Sequence, residues 1–89
     1  MGTLTLTIAE PWFSMIRDGK KKEEYREIKP YYKSRFQFKK FEKLVLRNGY
    51  RADSPKITLN NPRIRIGTGR QEWGAEPGTF YYVITWEEQ

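Results

Sequence analysis

The 89-residue chain contains no cysteine and no histidine. Without cysteine, neither a disulfide nor a thiolate metal site can hold the fold. Without histidine, the usual zinc site, the Ser-His-Asp arrangement and the commonest general base are excluded as well. The scattered carboxylates do not establish a Mg²⁺ site, and no metal or cofactor is expected. No apolar run approaches membrane-spanning length, and no N-terminal stretch has the pattern of a secretion signal. No basic helix suited to a membrane surface is present either. A reducing, cytoplasmic setting is the expectation.

Aromatic residues and positive charge are abundant. Hydrophobic content is 37% and aromatic content 16%, so a core must lean on Trp, Tyr and Phe. The length suits one domain over residues 1–89. Nothing specifies an oligomer, and a monomer is the simplest assembly. Net charge is +6, and it is unevenly spread. Lys20 to Arg47 holds 11 of the 17 basic residues against four acidic ones, a local charge of +7. Such one-sided charge suits a polyanion, nucleic acid first.

TLTLTI alternates strictly and predicts a half-buried strand at 3–8. Pro11 and Gly19 bracket a short helix near 10–18, with Trp12, Met15 and Ile16 on one face. Further strands are expected near 21–28, 42–47, 56–60, 62–67 and 80–86. Tyr31, Tyr32 and Phe36 predict a short aromatic helix or turn. Asn48-Gly49 is a hairpin signal, and Asn60-Asn61-Pro62 marks another turn. FYYVITW is a continuous apolar strand. Short strands with one early helix predict a small mixed β-barrel with short helices, of α+β class. The connections are too short for a doubly wound sheet.

KKKEEYREI, residues 20–28, stands out. As a strand it places Lys20, Lys22, Glu24, Arg26 and Ile28 on one face and Lys21, Glu23, Tyr25 and Glu27 on the other. Neither face is apolar. A charged edge strand in water is one explanation. The other is a polar cleft, in which Glu24 and Arg26 pair or bind a ligand while lysines meet phosphate. Charges buried there would require partners.

Gly19-Lys20-Lys21-Lys22-Glu23-Glu24-Tyr25-Arg26 matches the Gly-x-Lys-x-x-Glu-x-Arg signature and resembles the ASCH domain family. PWFSMIRDGKK before it and EIKPYYKSRF after it are similar to a bacterial and phage subgroup of that family. So are RNGY at 47–50 and EWGAEPG at 72–78. The resemblance implies a PUA-like β-barrel with a helix between its first two strands. It also implies a cleft beside the signature for RNA or a nucleotide. Some members are small amidohydrolases acting on acylated cytidine, and others have been linked to RNA cleavage. In the amidohydrolases a threonine follows the lysine by three positions; here that place is Glu24. A late carboxylate would be Glu72 or Glu76.

The expected binding residues are Trp12, Lys20, Lys21, Lys22, Glu24, Tyr25, Arg26, Arg47 and Asn48. Lysines bind phosphate without any unusual pKa. Catalysis by Lys21 and Glu24 would instead require a lowered lysine pKa. Trp12 is either core or an aromatic rim for a base, and Tyr25 and Trp73 pose the same choice. Arg47 suits a base or phosphate contact, whereas the turn alone accounts for Asn48. GTGRQEWG lacks the Gly-Lys-Ser/Thr ending of a nucleotide-triphosphate loop. The expected function is RNA or nucleotide binding in a basic cleft. The alternatives are a hydrolase of a modified nucleoside or of RNA and, third, a protein-interaction module.

Overall fold

The computed structural model describes residues 2–87. Strands β1 (Thr3–Thr7), β3 (Lys43–Arg47) and β4 (Lys56–Asn60) form one sheet in the order β1-β3-β4. Strands β2 (Glu24–Glu27), β5 (Arg63–Thr68) and β6 (Phe80–Thr85) form a second, in the order β2-β6-β5. Helices α1 (Trp12–Arg17) and α2 (Pro30–Phe36) flank β2 in the chain. The fold is therefore α+β, with six strands in two three-stranded sheets. Among the described residues no strand pairing joins the sheets, so they do not close into a barrel.

The alternating Leu4 and Leu6 of β1 are buried, as are Leu44 and Leu46 of β3, which pair with them in parallel register. Ile84 and Tyr82 reach the same cluster from the second sheet. Each fully buried aliphatic side chain contributes about 1.5–3 kcal/mol. β6 lies centrally in its sheet, and that position explains its continuous apolar run: Tyr82, Val83 and Ile84 are all buried.

Helix α1 begins where the Glu10 carboxylate accepts the Ser14 N–H at 2.9 Å and the Ser14 hydroxyl at 2.7 Å. It ends at Gly19, whose φ of +76° suits a residue without Cβ. The Lys20 and Lys21 N–H groups then fold back onto the Met15 carbonyl at 2.8 and 3.1 Å. This cap corrects the expected strand at 21–28. Backbone donors committed to the helix end cannot enter a ladder, so β2 starts only at Glu24.

One turn departs from expectation, and the expected turn at Asn60-Asn61-Pro62 is present but links different sheets. Asn48-Gly49 does not form a two-residue hairpin. β3 and β4 are antiparallel, but residues 48–55 connect them, closed by Asn48 N–H on the Pro55 carbonyl at 2.9 Å. Asn61 and Pro62 join strands of different sheets, with Asn61 at a φ of +50°. Asparagine tolerates that conformation better than most residues.

Candidate functional site

β2 is an edge strand whose neighbour is β6. Glu24 sits opposite Ile84 and Arg26 opposite Tyr82. Cross-strand partners share a face, so both charges project on the side of two core residues. The charged segment is thus not a solvated edge at these two positions.

Lys21 meets them from the turn after α1. Its side chain is only 1% exposed. The ammonium donates to the Trp73 carbonyl at 2.6 Å and lies 3.2 Å from Glu24 Oε1. The Trp12 and Tyr25 rings lie 5.1 and 4.9 Å from it. The other Glu24 oxygen accepts from Arg26 Nη2 at 2.8 Å. Arg26 Nη2 also donates to the Thr7 carbonyl at 2.9 Å, and Nη1 donates to the Tyr32 hydroxyl at 3.2 Å. A chain of polar contacts therefore runs from Lys21 in the interior through Glu24 and Arg26 to Tyr32. Two cations share one carboxylate, and Arg26 Nε is buried with no partner among the described residues.

Glu24 and Arg26 belong to a cleft of about 630 Å³ between the end of β1, the β2 edge and residues 74–79. Trp12, Tyr25, Tyr32 and Tyr81 supply aromatic walls. Gly74, at a φ of +101°, lies close under Trp12; an added Cβ would sit 3.0 Å from the indole. The Tyr25 ring is seated by Gly69, where an added Cβ would come within 2.5 Å of it. The Tyr25 hydroxyl donates to Glu23 at 2.8 Å and accepts the Arg70 N–H at 2.9 Å.

The cleft is not the basic surface expected from charge clustering. Arg26 and Lys29 in its lining face Glu24, Glu27 and Glu76. Lys21 is buried and ion-paired; Lys20 and Lys22 are exposed and lie outside the lining. Alternation assigned Lys21 and Glu24 to opposite faces, but the helix-capping turn brings them together. Arg47 and Asn48 also lie outside the lining. Asn48 Nδ2 donates to the Ile8 carbonyl at 3.0 Å, and the Arg47 carbonyl accepts the Ile8 N–H at 2.8 Å. The Arg47 guanidinium turns to the Arg51 carbonyl at 2.7 Å. These two residues therefore fix the end of β1, which forms one side of the cleft. Of the late carboxylates, Glu76 lines the cleft and Glu72 does not.

Tyr32, Tyr81 and Lys29 were not among the expected site residues. Tyr32 and Phe36, four apart on α2 and stacked 5.4 Å apart, carry a helical signal that marks packing rather than a site. Among the described residues no group of His, Cys, Asp or Glu is arranged to hold a metal. No helix there is long and apolar enough to cross a membrane.

Burial pushes the Lys21 ammonium below the usual lysine range, and Glu24 only partly restores it. Burial also pushes the Tyr25 hydroxyl up, to about 12, with Glu23 adding to the rise. The two shifts act oppositely on stability. Below the unfolded lysine value of about 10.4, the unfolded chain holds the Lys21 proton more tightly than the folded one. Stability therefore rises with pH through that window. Above about 10 the unfolded tyrosine ionises first, so stability falls as pH climbs toward the folded Tyr25 value. Denaturant midpoints between pH 8 and 12 are expected to show both limbs. Lys21→Met should remove the rise and Tyr25→Phe reduce the fall. An unchanged rise in Lys21→Met would overturn the assignment.

Comparison of the chain with protein-family models, curated proteins and solved structures finds no match.

Proposed function

We propose that this protein is an ASCH-type domain, PUA-related with its sheets unclosed, that binds RNA or a nucleotide by taking one base into the Glu24–Arg26 cleft. The observation that carries this reading is the convergence of Lys21, Glu24 and Arg26, the three charged positions of the signature, beside aromatic walls. An aromatic slot accepts the face of a base. A carboxylate beside it accepts from an exocyclic amine, which cytosine and adenine carry and uracil lacks. Lys29, also in the lining, would meet the phosphate. The mixed charge of the lining favours recognition of a single base over nonspecific hold on a long strand.

Calorimetric titration with cytidine, adenosine and uridine monophosphates tests this. Cytidine or adenosine monophosphate should bind more tightly than the uridine compound. Trp12→Ala should weaken the better ligand by about 5- to 100-fold, the range for losing one aromatic stacking partner. Failure of all three to bind, or an unaffected Trp12→Ala, would overturn the cleft as a base site.

A hydrolase acting on a modified nucleoside is the second reading, favoured by the lowered Lys21 pKa. It stands behind because Lys21 is sealed by the Trp73 carbonyl and Glu24. Release of cytidine from 4-acetylcytidine, lost in a folded Lys21→Met variant, would put it first.

A further inference from the structure

A second concavity, of about 1030 Å³, shares no lining residue with the base cleft. It runs between the segment after α2 and strand β5. Its charged lining is Lys33, Lys39, Lys40, Arg63 and Arg65 against Glu87. Arg65 is held by Glu23 at 3.1 Å. Among the described residues the other four cations enter no salt bridge.

Phe38 lies among these cations and is 96% exposed. Its φ is +61°, a conformation uncommon for a bulky side chain. Ile66, also in the lining, is 60% exposed. The ring thus stands in water on an unfavourable backbone, and its packing in the fold explains neither fact.

We propose that this groove is the track of a single-stranded polynucleotide. A base stacks on Phe38, and successive phosphates meet Lys39, Lys40, Lys33 and Arg63. An aromatic platform in a cationic groove is the general means of holding single strands without reading sequence. Charge selects the occupant. A second copy of this chain docked through the same face would bring like charges together, whereas a polyanion complements them. The proposal deepens the function proposed above and rests on it only for ligand class, nucleic acid.

The test uses fluorescein-labelled U12 RNA and dT12 DNA, read by anisotropy over a range of KCl concentrations. Uracil is the poor ligand expected for the cleft, so U12 isolates the groove; the DNA arm distinguishes the two sources of a phosphate backbone. Phe38→Asn should weaken U12 by about 5- to 100-fold. The same change should leave Tm equal or higher, because asparagine tolerates positive φ. A merely structural Phe38 would not show that opposition. Lys39→Ala/Lys40→Ala should reduce the slope of log affinity against log salt by about 1.4, two contacts at roughly 0.7 each. Binding of cytidine monophosphate should be unchanged in both variants. If Trp12→Ala abolishes U12 binding while the groove variants match the parent, the groove is overturned. Loss of mononucleotide binding with groove effects intact would remove the cleft reading and leave the groove. No binding of either oligomer overturns the proposal, as does a parent dimer that Phe38→Asn converts to monomer in sedimentation.

Discussion

Glu24→Ala is expected to lower stability by about 3–5 kcal/mol, the range for removing one member of a buried ionic group. The carboxylate is 9% exposed and serves Lys21 through one oxygen and Arg26 through the other. Its loss leaves an ammonium in the interior with one carbonyl acceptor and a guanidinium without its anion. Desolvation of those cations was offset by Glu24, and no other carboxylate reaches either in an ion pair among the described residues. For a domain of this size the corresponding fall in Tm is roughly 12–40 °C. Urea titration of parent and variant measures the difference. Replacing all three charges together, as Lys21→Met/Glu24→Leu/Arg26→Met, should cost far less, because no charge is then stranded. A loss under about 1 kcal/mol in Glu24→Ala would mean a solvent-screened pair, contrary to the geometry.

The second large effect is expected from Arg26→Ala. This change removes the contacts to Glu24, the Thr7 carbonyl and Tyr32. Hydrogen bonds to charged groups are worth about 1.5–3 kcal/mol, and a stability loss of that order should appear in melts. Glu24 retains Lys21, so the loss is smaller than for Glu24→Ala. Ligand binding should separate the two sites more sharply than stability does. Arg26 fixes the Glu24 carboxylate, which on the proposed reading would face the base, and ties the end of β1 to β2. Affinity for cytidine monophosphate should fall at least tenfold, about 1.4 kcal/mol, while U12 in the Phe38 groove is held as before. Equal binding of cytidine monophosphate by parent and variant, at temperatures where both are folded, would exclude Arg26 from the base site.

Legibility in the sequence followed the range of the interactions. Helix α1 was readable because its stop lies in Gly19, but its face was legible only in Ile16: Phe13 is buried with it, while Trp12 and Met15 are half-buried. The shared face of Glu24 and Arg26 was readable because two-residue alternation holds within β2. Alternation puts Lys21 on the wrong face, because Lys20 and Lys21 lie in a turn whose N–H groups cap a helix. The Trp73 carbonyl that anchors Lys21 lies 52 positions away, and a carbonyl carries no residue-type signal. The split into two sheets was not legible either, because β4 and β5 look like hairpin partners across Asn61-Pro62. Charge clustering identified the basic half of the chain but not which of two concavities receives it. The lysines after α2 and the arginines of β5 are far apart in sequence and meet only in the folded groove.

The order in which the chain is made bears on the alternation of sheets along it. β2 carries Glu24 and Arg26, but its ladder partner is β6, so Glu24 waits 60 positions for Ile84. β1 waits similarly for β3, 40 positions on. Chain entropy must be lost before such distant pairings return any free energy, which slows folding relative to chains built from local contacts. During synthesis the signature residues emerge early and stay on an unpaired strand until residues 80–85 have cleared the ribosome. Their ionic cluster is therefore a late product of folding, formed with the second sheet. A nascent chain stopped before β6 carries Lys21, Glu24 and Arg26 but lacks the strand against which β2 is held.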